Sequence, residues 1–96
     1  MIQQLKAITP FIDLGFGITQ QEVTAGTPVT VWLNTLYNQE VYTFTLFAAG
    51  GSVTQISDYE YIVIYPAAGT YSISMGVSTA DKKISLASNI LTLIVT

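Results

Sequence analysis

Acid–base catalysis by carboxylates needs two of them held on one side of a cleft. The close pair in this chain is Asp58 and Glu60. Side chains two apart in an extended segment point the same way, so a strand over 58–65 would stand the pair together with Ile62 and Ile64. The same pattern also describes an ordinary polar strand start. Nucleophilic catalysis needs a hydroxyl or thiol beside a base. Ser and Thr abound, but His and Cys are absent, and the lysines are confined to Lys6, Lys82 and Lys83. Transition-metal ligation relies on Cys and His. A calcium loop wants several Asp or Asn at tight spacing, and Asp81 and Asn89 are too sparse. No glycine-rich phosphate loop opens a helix. The expectation is a non-enzymatic chain with no cofactor and no metal.

What remains is contact chemistry. Tyr37, Tyr59 and Tyr61 would make an aromatic platform for a sugar or a protein. Trp32, Ile62, Ile64, Ile90 and Ile94 would make an apolar contact patch, with Phe11 and Ile12 of the N-terminal segment as further partner-binding residues. The two sets compete over residues 59–65. With Tyr59, Tyr61, Val63 and Tyr65 inward, the isoleucines face out; with the opposite parity, the tyrosines do.

The elements that position these residues read as strands. Tyr71, Ile73, Met75 and Val77 alternate with Ser72, Ser74, Gly76 and Ser78, the pattern of a strand with one buried and one polar face. Pro66 and Gly69 stop the preceding strand and set a turn. Residues 29–33 alternate likewise, with Val29, Val31 and Leu33 inward. Trp32 then lies on the other face, either covered by the N-terminal segment or a loop, or part of a contact surface. Residues 40–47 carry Tyr42, Phe44 and Leu46 on one face. Residues 18–24 and 52–57 are weaker strand candidates. Residues 58–65 are apolar on both faces, as in a central or covered strand. Residues 78–89 read as polar and loop-like, with Asp81, Lys82 and Lys83 at a tip and Ile84 and Leu86 able to add a short strand. Leu91, Leu93 and Val95 close the core pattern. Turn signals every 8–14 residues and no helical period indicate an all-β sandwich of about seven antiparallel strands in two sheets.

Residues 1–18 fit no period, because Pro10, Gly15 and Gly17 interrupt Ile2, Leu5, Ile8, Phe11, Ile12, Leu14 and Phe16. They read as an N-terminal arm or edge strand, with the sandwich over 19–96. An arm that docks on a neighbouring subunit would be removable, through residue 16, without loss of the fold.

Ninety-six residues support one domain. Charged residues make up 9% of the chain, against about 25% in an average soluble domain. Such a surface is kept soluble by Thr, Ser, Gln and Asn, or is covered by partners. A net charge of −3 argues against nucleic acid, which needs clustered Lys and Arg. No apolar run approaches the ~20 residues that span a bilayer, so no membrane insertion is expected. Gln3, Gln4 and Lys6 after Met1 do not read as a secretory signal.

Gly26-x-x-Val29-x-Val31-x-Leu33 resembles the second strand of immunoglobulin-like domains. Ala68-Gly69-Thr70-Tyr71-x-Ile73 resembles the entry to their sixth strand, where the Tyr makes a tyrosine corner. In that alignment Leu33 and Ile73 stand where antibody-type domains carry their disulfide. Tyr65-x-x-x-Gly69-x-Tyr71-x-Ile73-x-Met75-x-Val77 is also similar to the PKD branch, with Phe44 near that branch's central Trp and Gly50-Gly51 near its glycine turn. Small, cysteine-free, charge-poor domains of this kind resemble accessory proteins of phage virions. The resemblance implies a structural protein of the virion, decorating a capsid or extending a tail or fibre. Its partners would be a major capsid or tail protein, or further copies of itself. The alternative is a carbohydrate- or protein-binding module of a secreted or cell-surface protein.

Overall fold

The alternation at 71–77 is realised as the long strand at the middle of the molecule. In the computed structural model, which describes residues 9–35 and 37–96, every regular element is a strand. The first eight residues of the expected arm, and Leu36, lie outside the described residues. The strands are β1 (Ile12–Asp13), β2 (Gln20–Val23), β3 (Val29–Leu33), β4 (Tyr42–Phe47), β5 (Ser52–Ser57), β6 (Glu60–Ile64), β7 (Gly69–Thr79), β8 (Ser85–Ala87) and β9 (Leu91–Val95). They form two packed sheets, one in the order β1-β3-β6-β5 and the other β2-β9-β7-β4, with β8 also paired to β7.

The count is nine among the described residues, not about seven. The additions are β1 and β8, two and three residues long. Both are options in the sequence, β1 as an edge strand within residues 1–18 and β8 around Leu86, but strands that short carry too little alternation to be counted. Nor is every pair antiparallel: β2 runs parallel to β9, from Gln20 opposite Thr92 to Val23 opposite Val95. The chain leaves the first sheet after β1, turns over residues 14–19 and enters the edge of the second sheet alongside β9.

The core is the meeting of the two inward faces. Val29, Val31, Leu33, Tyr61, Val63 and Tyr65 come from the first sheet. Ile73, Met75, Val77, Leu91, Leu93 and Val95 come from the second. Each large apolar side chain removed from water contributes about 1.5–3 kcal/mol. Tyr42, Phe44 and Leu46 of β4 pack against this core while only half-buried.

Ile12 completes the core, with no exposed surface, and pairs with Leu33. Of the two readings of residues 1–18, β1 takes the form of the edge strand, and the burial of Ile12 argues that loss of residues up to 16 would open the core. Ile12 is held by Asn89, whose Oδ1 accepts the Ile12 N–H at 2.8 Å and whose Nδ2 donates to the Ile12 carbonyl at 2.9 Å.

The Tyr65–Tyr71 turn is packed closely. The two rings stack with centroids 4.0 Å apart, and the Tyr71 hydroxyl donates to the Ala67 carbonyl at 2.8 Å. A Cβ on Gly51 would stand 2.9 Å from the Tyr65 ring. Only glycine lets the β4–β5 turn lie against that ring.

Candidate interaction surface

Among the described residues the most exposed large apolar side chain is Phe16, entirely in water. It sits in a loop built by Asp13, which is 3% exposed. One carboxylate oxygen accepts the Gly15 N–H at 3.1 Å and the other the Gly17 N–H at 2.8 Å. The loop closes with Leu14 N–H to Ile18 O at 2.7 Å and Ile18 N–H to Gly15 O at 3.0 Å. Gly15, Phe16 and Gly17 all have positive φ, at 108°, 53° and 77°. Glycine adopts that region freely, whereas Phe pays about 1–2 kcal/mol for it. A buried charge and backbone strain thus hold an aromatic ring out into solvent.

Phe16 and Trp32 are both among the residues lining a hollow of about 300 Å³, completed by Asp13, Gly15 and Asn34. They also share a second hollow of about 380 Å³ that runs towards Pro28 and Val23. Trp32 is opposite Asp13 on one side and Glu60 on the other, 38% exposed. It is both flanked by the loop and part of the surface. Phe11, 39% exposed, precedes β1 at this edge.

The expected apolar patch is not one surface. Ile62 and Ile64 share the outer face of the first sheet with Trp32, half-buried, with Thr30 and Thr54 on either side of Ile62. Ile94 lies on the outer face of the second sheet, between Thr70 and Glu22. Ile90, 62% exposed, lies in the bend before β9. Ile12 is in the core and cannot offer its side chain to a partner. The set mixed both outer faces because alternation gives a side of a strand, not which sheet the strand joins.

The tyrosine platform is not formed either. Tyr61 is 2% exposed and its hydroxyl donates to the Asp58 carbonyl at 2.9 Å. Burial, and then the nearby Asp58 charge, push its pKa up to about 12. The Tyr59 hydroxyl donates to the Tyr37 carbonyl at 2.9 Å. Tyr37 packs edge-on to Tyr42 and Phe44, with centroids 5.2 and 6.0 Å away, and burial raises its pKa. These rings build the end of the core.

Asp58 and Glu60 fall in different elements. Asp58 sits in the β5–β6 turn, where its oxygens accept Nε2 of Gln39 at 2.8 Å and of Gln55 at 3.0 Å. Glu60 lies in β6 between Trp32 and Ser57. Asp81 takes the Thr79 hydroxyl at 2.7 Å and the Lys83 N–H at 3.0 Å; the Lys83 amide, then Thr79, hold its pKa low. Asn89 is spent on Ile12. Among the described residues no three of Asp, Glu, His and Cys gather as metal ligands.

Phe16 was legible only as an apolar residue between glycines. Its two glycine neighbours were the available signal, since glycines on both sides of a single aromatic permit a left-handed turn. No protein-family model matches the chain, and comparison with curated proteins finds none similar to it.

Proposed function

We propose that the chain is an immunoglobulin-like sandwich that works as a non-enzymatic interaction protein of a virion, docking on a capsid or tail subunit through the Phe16–Trp32 edge. The strand orders support the fold reading: β1-β3-β6-β5 and β2-β9-β7-β4 correspond to A-B-E-D and A′-G-F-C. So does the Tyr71 hydroxyl on a carbonyl four residues upstream, the bond of a tyrosine corner. The virion setting rests on the likeness to charge-poor, cysteine-free accessory domains of phage particles.

The observation that carries the docking reading is the Asp13 clamp on the Phe16 loop. The positive φ of Phe16 works against stability, and exposing a Phe adds nothing to it. Strained backbone concentrates at functional contacts, and a strained loop that presents an aromatic to solvent fits a docking contact. With Tyr61 in the core, the carbohydrate alternative has lost its platform.

Virions purified by density gradient from the cells that make the chain are expected to carry it in fixed stoichiometry. Phe16→Ser, at unchanged thermal stability, is expected to be lost from the particle. Absence of the chain from the particles, or selective binding of the isolated chain to glycans on an array, would overturn the proposal.

A further inference from the structure

Among the described residues five strands are paired on one side only: β1 and β5 in one sheet, and β2, β4 and the three-residue β8 in the other. Open edges invite pairing with another chain and are usually blunted by brevity, charge, proline or a bulge. β1 has two residues. β2 has four and carries Glu22. β5 breaks register between Gln55 and Ser57. β4 has none of these devices: Tyr-Thr-Phe-Thr-Leu-Phe over six residues, uncharged and in unbroken register with β7.

Its free hydrogen-bonding groups can be assigned. On β7, Thr79 N–H donates to Ile84 O at 3.0 Å, and Met75 O accepts from Ser88 N–H at 2.9 Å. The backbones of Met75, Val77 and Thr79 therefore face the β8 side, and those of Ser74, Gly76 and Ser78 face β4. On β4 their partners are Phe47, Thr45 and Thr43. The N–H and C=O of Phe44 and Leu46 consequently point away from β7, into the open side, and no bond to either occurs there among the described residues. Tyr42 N–H is already taken by Asn38 O at 3.0 Å.

We infer that β4 pairs antiparallel with β4 of a second copy, about a two-fold axis through Thr45. This register sets Phe44 against Leu46 of the second copy and Leu46 against its Phe44, using all four free groups. It joins the inward faces, so half-buried Phe44 and Leu46 cover each other. On the outer face, Phe47, 56% exposed, lies over Thr43 of the second copy, an aromatic on a β-branched residue. Thr45 meets Thr45. Glu40 falls opposite Gly50 rather than another carboxylate, so no like charges oppose the contact. A two-fold places the same patch on both partners, and in this register β4 is complementary to itself. The surface is distinct from the Phe16–Trp32 edge, so either proposal can fail while the other stands.

Sedimentation equilibrium from micromolar to millimolar concentration tests it. The chain is expected to dimerise in that range. Thr45→Lys and Thr45→Glu each place like charges opposite one another and are expected to weaken the dimer at least about tenfold. An equimolar mixture of the two is expected to restore it. Hydrogen exchange of the unaltered chain supplies a second reading: the Phe44 and Leu46 amides are expected to slow as concentration rises, and the Thr45 amide, already bonded to β7, to stay constant. A monomer at millimolar concentration, a mixture that fails to reassociate, or exchange independent of concentration would overturn the inference.

Discussion

Asn89 bonds both backbone groups of Ile12, 77 residues away in sequence, at 2.8 and 2.9 Å. Asn is the right residue because its amide carries an acceptor and a donor side by side. One side chain thereby ties β1, in the first sheet, to the bend entering β9 in the second. Asn89→Ala would strand a part-buried N–H and C=O, each costing about 1–3 kcal/mol. The expected result is a loss of at least about 2 kcal/mol, read from urea denaturation midpoints. Deleting residues 1–16 is expected to abolish cooperative unfolding, because Ile12 leaves the core with them. A deletion that melts like the intact chain would show that β1 is dispensable.

Tyr65 and Tyr71 stack, yet their hydroxyls have opposite fates. That of Tyr71 is bonded to Ala67 O at 2.8 Å, whereas that of Tyr65 is buried without a partner. An unsatisfied buried hydroxyl is a cost, and a satisfied one a modest gain. Tyr65→Phe is expected to leave stability unchanged or raise it by about 1 kcal/mol, and Tyr71→Phe to lower it by about 1 kcal/mol. The sign difference between two like substitutions in stacked rings is the measurement, taken from paired denaturation curves.

The Asp13 clamp separates stability from exposure. Asp13→Asn turns one acceptor into a donor and breaks one of the two bonds to the glycine amides. A hydrogen bond to a charged group is worth about 1.5–3 kcal/mol, so a loss of that order is expected, with faster amide exchange at Gly15 and Gly17. Phe16→Asn should leave stability level or slightly higher, since Asn tolerates positive φ and no packing is lost. Destabilisation by Phe16→Asn would mean that the ring rests on something within the chain.

How far these features were legible depends on the range of the interaction that makes them. Alternation, which is local, set Trp32 opposite Val31 and grouped Tyr61, Val63 and Tyr65 on one side, but which side of residues 59–65 faces the core is settled by their pairing with β3. The turn before Tyr71 followed from Pro66 and Gly69, also a local signal. The seat of Ile12 did not, because its neighbours Leu33 and Asn89 are distant in sequence and Pro10 breaks any local period. The Phe16 loop is local, but it is set by a carboxylate reaching backbone amides two and four residues on, which leaves no periodic trace. Ile94 and Ile62 looked equivalent because both alternate against core residues; only the strand order puts them on opposite faces of the molecule.

Alkaline pH should act through Tyr61. In the fold its pKa rises to about 12 from the ordinary 10.0, because burial, then Asp58, disfavour the phenolate. The folded chain then holds this proton more tightly than the unfolded chain does. The resulting stabilisation is complete below pH ~10, where both states are protonated, and is lost as pH climbs towards ~12. Two units correspond to about 2–3 kcal/mol at most, reinforced in sign by Tyr37 and Tyr65, whose pKa values are also raised by burial. Denaturation midpoints are expected to hold up to about pH 9 and to fall between about 10 and 12. Tyr61→Phe removes the titrating group together with its bond to Asp58 O. That variant should be less stable at neutral pH and show a shallower alkaline decline. Equal slopes for the two proteins would assign the decline to the other tyrosines.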